Sequence, residues 1–417
     1  MKSVYLYIMD IGVAGVTSGV DRHIEKMLEG LKCYTFIHVY RIQFLNDKNL
    51  IMHRKEHCDF YTKLTFPLPQ DYKEIISEKY WMQKYNEHIY HIIRDIFPDK
   101  KVCILHLHTL NLIDLALLIK QHIDCKIITH LHCIPWKNFY NSNERLFNNL
   151  YQLGRSKTNR IIAPNMYVTN NCELDSYTLS DHIISVTQCG TDFLTNTMEI
   201  PKSKITMVHN GMNDYAGTYR KCFFKDTNSR IQCLFVANTS KSKGLDFVFK
   251  ALRIVKNKGY NVGLNIAGYI SSTMSAAIKT EQHDLDINIL GALSFFQLVE
   301  YYKSSDIGII ASLQEQWSMA AVEMAMFGLP VITTAVDGLD ELFTDNEDAL
   351  KVGVLFSDFT GLSVNIDEMA EKIIRLIEHK ELRLKLSKNV RHMYENELSL
   401  EQMMQQIIFI YQKIIGE

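Results

Sequence analysis

The chain is 417 residues long and near neutral, with a formal net charge of −2, 47% hydrophobic and 22% charged residues. That is room for two domains of roughly 200 residues each, and the composition excludes a disordered chain, a collagen-like repeat and a small disulfide scaffold. The charge balance excludes a nucleic-acid binder, although residues 201–260 carry twelve Lys or Arg against three Asp, a basic stretch suited to an anionic ligand.

The chain opens on a short apolar run, Val4 to Ile8, which reads as a β-strand because it is too short to span a membrane and lacks a cleavage site. A loop with Gly12, Gly15 and Gly19 follows, without the dinucleotide spacing of Gly-x-Gly-x-x-Gly. Then Val20, Ile24, Met27, Leu28 and Leu31 fall on one helical face. Further strands are predicted at Phe36 to Tyr40, Val102 to Leu107, Lys126 to Thr129, Arg160 to Ala163 and His182 to Val186, with His53 to Asp71 and Trp136 to Arg155 as loops. Histidines stand in pairs at two strand ends, His106 with His108 and His130 with His132. Alternate strand residues share a face, yet no carboxylate or cysteine supports either pair, so no metal is expected and His130 is the candidate hydrogen-bond partner of a hydroxyl.

Residues 210–230 are polar, contain Gly211 and Gly217, and read as the hinge between two domains. A new strand starts at Gln232 and, through Leu234 to Ala237, leads into Asn238-Thr-Ser-Lys241-Ser-Lys243-Gly244 and a helix with Leu245, Val248, Phe249, Leu252 and Val255 inward. This loop is not a Walker loop, but Lys243 can set an ammonium beside a phosphate while Gly244 lets the backbone approach. Three Ser or Asn residues, Ser294, Asn365 and Ser399, precede Gln297, Glu368 and Gln402 by three and mark helix starts. Strand alternating with helix in both halves predicts two doubly wound parallel α/β sheets.

Ile307 to Thr334 is the most informative segment: a strand to Ala311, a loop to Trp317, a helix capped by Ser318, then Gly328, Pro330 and another strand. A helix start at the carboxyl end of a parallel strand is where open α/β sheets bind anions. Glu315 lies in the loop and Glu323 two turns into the helix, each able to accept two sugar hydroxyls.

Together these residues resemble the retaining glycosyltransferases of family 4. The signature of Glu, seven residues, Glu stands as Glu315-Gln-Trp-Ser-Met-Ala-Ala-Val-Glu323, followed by Gly328-Leu-Pro330. Ile205-Thr-Met-Val-His-Asn210-Gly211 is similar to the stretch closing the first domain, and Thr129-His130 to the active-site histidine strand. The resemblance implies a GT-B fold: Rossmann-like domains at 1–211 (acceptor) and 212–396 (donor) facing each other across a cleft, with 397–417 a helix packing back across their junction. It implies that Glu323 accepts ribose hydroxyls, that Glu315 with Gln316, Trp317, Ser318 and Met319 holds the donor sugar, and that Lys243 neutralises the diphosphate. His130 would contact the sugar or acceptor, Gly19 would sit by the phosphate, and Leu293 in Leu290 to Ser294 would border the base.

Two positions depart from that pattern. Asn238 stands where the family has an arginine, with Lys241 the substitute cation, and Ser318 stands where glycine is usual. The implied activity is transfer of a sugar from a nucleotide diphosphate sugar, UDP-sugar foremost, to a glycan, lipid-linked or peptide hydroxyl acceptor with retention, by front-face displacement. It needs no cofactor, metal or nucleic acid. The alternative from another class is a non-catalytic nucleotide-sugar-binding subunit, with an epimerase or phosphorylase on the same architecture behind it. Nine cysteines without a Cys-x-x-Cys pair, and no run of about 18 apolar residues, imply a cytoplasmic protein with reduced thiols and at most peripheral membrane contact at the cytoplasmic face.

Overall fold

The computed structural model describes residues 3–15, 17–68, 79–99, 101–134, 137, 173–216, 230–237, 240–357 and 361–416. The chain divides into two compact units: residues 1–133, 148–209 and 403–417 form one, and 134–147 with 210–402 the other. The divisions fall at 209/210 and 402/403, so the last fifteen residues belong to the first unit.

The first unit is built on an eight-stranded sheet in the order β3-β4-β2-β1-β5-β6-β7-β8. β1 (Val4–Val13) is its central strand, flanked in parallel by β2 (Ile37–Asn46) and β5 (Val102–Leu107). Leu6, Tyr7, Ile8 and Met9 are all buried, which explains why β1 reads as a continuous apolar run rather than an alternation. Between β1 and β2 lies α1 (Gly19–Leu31); Ser18 accepts from the Asp21 amide and Asp21 answers onto the Ser18 amide, a closed capping box. Ile24, Met27, Leu28 and Leu31 are buried, as their spacing predicts.

The stretch expected as loop, His53 to Asp71, instead holds β3 (Arg54–His57) and β4 (Tyr61–Pro67). β4 extends the sheet in parallel beside β2, and β3 closes the edge antiparallel to β4. Every β3 residue is exposed, so it offers no alternation to read, and its Arg-Lys-Glu-His sequence is the polar edge that keeps a sheet from pairing with another chain. β2 also runs six residues beyond the predicted Tyr40. After α2 (Lys79–Ile93) and α3 (Ile113–His122), β6 (Cys125–Leu131), β7 (His182–Ser185) and β8 (Ile205–Met207) complete the sheet in parallel. α4 (Gln188–Asp192) lies between β7 and β8. The strand predicted at Arg160 to Ala163 lies outside the described residues.

Glu173 is buried and accepts a hydrogen bond from the Tyr177 hydroxyl, and desolvation pushes its carboxyl up to about 8. Folding therefore holds it protonated where the unfolded chain ionises. That contribution is intact below the ordinary carboxyl range near 4.5 and is lost as pH rises towards 8, by up to ~1.4 kcal/mol per pH unit. Urea unfolding of the parent should weaken across this window, and Glu173→Gln should flatten that slope.

The second unit carries a six-stranded parallel sheet in the order β11-β10-β9-β12-β13-β14. Its strands are β9 (Ile231–Val236), β10 (Val262–Ala267), β11 (Asp286–Gly291), β12 (Ile307–Ile310), β13 (Val331–Thr334) and β14 (Ala349–Val352). β9 begins one residue before the predicted start at Gln232. Counted within the unit, the order is 3-2-1-4-5-6, that of a doubly wound nucleotide-binding sheet, whose direction reverses between β9 and β12. Helices α5 (Leu245–Asn257), α6 (Ser272–Glu281), α7 (Phe295–Ser304), α8 (Met319–Met326) and α9 (Asp337–Leu342) follow successive strands. The hairpin of β15 (Val354–Ser357) and β16 (Gly361–Val364) precedes α10 (Ile366–Glu378) and α11 (Lys380–Glu397). α12 (Leu400–Ile414) ends the chain. The predicted caps are present: Ser294 with Gln297 closes a full capping box, Asn365 accepts from the Glu368 amide, and Ser399 from the Gln402 amide.

Among the described residues no helix is long and apolar enough to cross a membrane, and the seven described cysteines are free thiols.

Candidate active site

In a doubly wound sheet the ligand crevice opens at the carboxyl ends of the strands where the order reverses, here β9 and β12. The loop leaving β9 carries Lys241 and Lys243; the loop leaving β12 carries Ser312 and Glu315. The structure joins them. The Leu313 amide donates to the Ser242 carbonyl (2.7 Å), and Lys243 forms an ion pair with Glu315. Glu315 also accepts from the Ser312 hydroxyl (3.3 Å), while the Thr334 hydroxyl on β13 holds the Ser312 carbonyl (2.5 Å). Both charged groups keep solvent access, 25% for Lys243 and 14% for Glu315, so the ammonium has N–H groups left for a ligand. Lys241 is exposed, and Asn238 lies outside the described residues.

Gly244 makes this closeness possible. It caps α5 in the left-handed region (φ 71°), and a Cβ there would run into the Ala311 carbonyl oxygen. Gly244→Ala should cost about 1–3 kcal/mol, read as a lower urea midpoint and as weaker binding of any anion held by Lys243.

Ser318 caps α8 by accepting from the Ala321 amide (3.2 Å), and the helix ends at Gly328 (φ 60°), where Arg391 takes the Met326 carbonyl (2.6 Å) and Ser387 the Gly328 carbonyl (2.5 Å). Trp317, Gln316 and Met319 are buried at the helix start, with the Trp317 indole N–H donating to the Asn210 carbonyl (3.1 Å). Asn210 is thus anchored beneath the capped turn, and Gly211 packs where a Cβ would meet the Ser399 carbonyl.

Glu323 is not on a solvated helix face. It is 1% exposed, and its carboxylate accepts the hydroxyl of fully buried Tyr302 (2.5 Å) on α7, a ring stacked on Phe327. Tyr302 gives no sequence signal as a partner, because its spacing from Glu323 belongs to no single element. Leu293, just before α7, is half-buried. Asp337 is also missed by motif reading: held at φ 43°, it accepts from the Glu315 amide (3.3 Å) and pairs with Lys137. With the Gly338 amide bonded to the Glu315 carbonyl (2.9 Å), it fixes the backbone on both sides of that carboxylate. The Asp-Gly dipeptide after β13 was the available clue.

In the first unit, the corresponding reversal lies between β1 and β5, beside α1. Gly19 is the exposed first residue of α1, with open space where a side chain would project. His106 and His130 lie nearly parallel, 5.4 Å apart, with His130 Nδ1 3.3 Å from His106 Nε2 and His106 Nδ1 2.7 Å from the Tyr411 hydroxyl of α12. His108 Nδ1 is 2.8 Å from His132 Nε2. The two pairs therefore merge into one group, joined by buried His23 of α1, whose ring is 4.7 Å from that of His130. Burial lowers His23 to about 4 and His106 to about 3, and holds His108, His130 and His132 well below the ordinary imidazole range. All five are neutral imidazoles at pH 7.

Two Rossmann-like parallel-sheet units in one chain, the second with this loop pair at its reversal point, define the GT-B fold. Residues 222–393 match the family profile "Glycosyl transferases group 1", a span that contains Lys243, Glu315 and Glu323. Among curated proteins it is 23% identical over 197 residues to the capsular polysaccharide biosynthesis glycosyltransferase CapM of Staphylococcus aureus, 47% of this chain and 49% of that one. The alignments span about half the length of such relatives. Among solved structures it superposes on sucrose-phosphate synthase of Thermosynechococcus elongatus with a TM-score of 0.73 at 17% identity, covering 98% of this chain and 99% of that one. The Anabaena HepE structure in complex with UDP-glucose gives 0.63 at 13% identity, covering 98% and 99%.

Proposed function

We propose that the protein transfers a sugar from a nucleotide diphosphate sugar to a hydroxyl acceptor. The observation that carries this reading is the Lys243–Glu315 pair at the reversal point of the second sheet, inside the span that matches the group 1 profile. An ammonium there can hold the diphosphate as charge builds on the leaving oxygen, and the adjoining carboxylate can accept sugar hydroxyls. The first-turn amides of α8 add a positive dipole end. Glu323 is assigned to the ribose, Leu293 to the base, Gly19 to the phosphate, and the neutral His130 to a hydroxyl of sugar or acceptor. Retention by front-face displacement is part of the proposal, taken from the resemblance of the Glu315–Glu323 signature to retaining enzymes; in that scheme leaving-group stabilisation and positioning carry the rate.

A UDP-sugar is the favoured donor, supported by the UDP-glucose complex of HepE. CapM, named for capsular polysaccharide biosynthesis, supports a glycan or lipid-linked acceptor over a small molecule. Thermal-shift screening against UDP, GDP, ADP and their sugars tests the donor, since a ligand bound only by the folded state raises apparent stability. UDP should give the largest shift, and a UDP-sugar with acceptor should yield transfer. Binding with neither transfer nor hydrolysis would identify a nucleotide-sugar-binding subunit, and no shift with any nucleotide would overturn the reading.

A further inference from the structure

We infer that His23, His108, His130 and His132 form a binding site for one divalent transition metal ion of the zinc, cobalt or nickel type. Strand spacing alone offers two separate histidine pairs; the structure adds a donor from α1 and merges them. Each of the four imidazoles presents a ring nitrogen, and these nitrogens all lie within 4.8 Å of one another. Tetrahedral coordination at about 2.0–2.1 Å would place them roughly 3.3 Å apart, a closure within reach of small side-chain rotations.

The stronger observation is what these rings lack. His23 Nδ1 and Nε2, His108 Nε2 and His130 Nε2 have no hydrogen-bond partner, although the three residues are 1%, 4% and 2% exposed. Buried polar atoms are nearly always satisfied, and three of these nitrogens, one on each ring, can offer a lone pair to a cation, the other His23 nitrogen carrying that ring's proton. His108 and His130 are each held through Nδ1, by His132 and His106, which leaves their Nε2 atoms as the ones turned to the cluster without a partner, and His23 makes no hydrogen bond at either nitrogen. Neutral imidazole is also the ligating form, and burial keeps all four rings in it.

The surroundings fit a cation. His130 Nδ1 reaches His106 Nε2, and His106 Nδ1 reaches the Tyr411 hydroxyl, the outer hydrogen-bond chain that orients a ligating histidine. For Nε2 of His130 to carry a lone pair, its Nδ1–H donates to His106, whose Nδ1–H donates to Tyr411. Arg41 is the cation near His108, but Asp10 takes it through two bonds (2.9 and 2.8 Å) and Asp21 lies 3.6 Å away, so this group carries a net negative charge. An all-nitrogen donor set selects zinc-like ions over magnesium or calcium, which require oxygen.

This inference rests on the cluster and not on the transferase reading. Both use His130 Nε2, so ion and hydroxyl exclude each other there, and titration without nucleotide reads only the first. The test adds Co2+ to chelator-stripped full-length protein. The parent should take up one equivalent, with the visible bands of four-coordinate, nitrogen-ligated cobalt, and Zn2+ should displace it. His23→Gln and His108→Gln should each weaken binding at least about tenfold, whereas His38→Gln, exposed on β2, should not. Near-UV circular dichroism of the metal-free variants checks that they fold, and His132→Gln, at the half-buried side, replaces either that does not. Absence of a stoichiometric visible band in the parent, or parent-like affinity in the cluster variants, would overturn the site.

Discussion

Glu323→Gln is expected to lower kcat/KM by about 30- to 160-fold, equivalent to roughly 2–3 kcal/mol, while the protein melts within a few degrees of the parent. The carboxylate is assigned to the ribose, far from the bond that breaks, so its charged hydrogen bonds act alike on ground and transition states. The loss should therefore fall on KM and on the Kd of the nucleotide, with kcat the lesser change. The glutamine oxygen still accepts the Tyr302 hydroxyl, which keeps the interior intact. Alanine should behave differently: it opens space beside Tyr302 and strands that hydroxyl in the core, adding a stability loss of about 1–3 kcal/mol. Calorimetry with UDP and thermal unfolding separate the two effects. A glutamine variant binding UDP as tightly as the parent would remove Glu323 from the donor site.

Lys243→Met should cost about 10²–10³-fold in kcat, with a smaller change in KM. On the proposed reading the ammonium sits where charge grows as the diphosphate departs, so its contribution is greater in the transition state than in the bound donor. Methionine keeps most of the stem and removes only the charge. It also leaves Glu315, 14% exposed, without its cation. The double variant Lys243→Met with Glu315→Gln should recover any lost stability without recovering the rate. Steady-state kinetics with urea unfolding check both statements. Recovery of rate in the double variant would make the pair a structural link and not part of the chemistry.

What the sequence revealed followed the range of the interaction involved. The start of α1, the caps at Ser294, Asn365 and Ser399, and the Ser318 and Gly328 limits of α8 depend on residues a few positions apart, and all were legible. Glu315, Glu323 and Lys243 were legible as a motif with a loop. Their surroundings were not: Tyr302 beside Glu323, Asp337 at the Glu315 amide and the Arg41–Asp10 pair each need sheet order to bring distant segments together. His23 shows the same limit within one helix. It precedes Met27 by four residues and shares the buried face, but only the placement of α1 beside β5 and β6 turns a core histidine into a fifth member of the imidazole group. β3 was missed because an exposed edge strand has no apolar period to detect, and β4 because its buried Leu64, Thr65 and Phe66 follow one another without alternation.

The 3-2-1-4-5-6 order of the second sheet also sets a timetable for synthesis. Gln232 at the start of β9 exchanges hydrogen bonds with Asp306, 74 residues later, and β9, with its Lys243 loop, emerges from the ribosome long before β12 and Glu315. At about 5–20 residues per second, that interval is roughly 4 to 15 seconds. For that time the inner edge of β9 stands open with no strand beside it. The half of the pocket that would hold phosphate is thus also the nascent chain's exposed flank, and codon choice or chaperone capture between residues 237 and 307 would govern how much of it is rescued from aggregation.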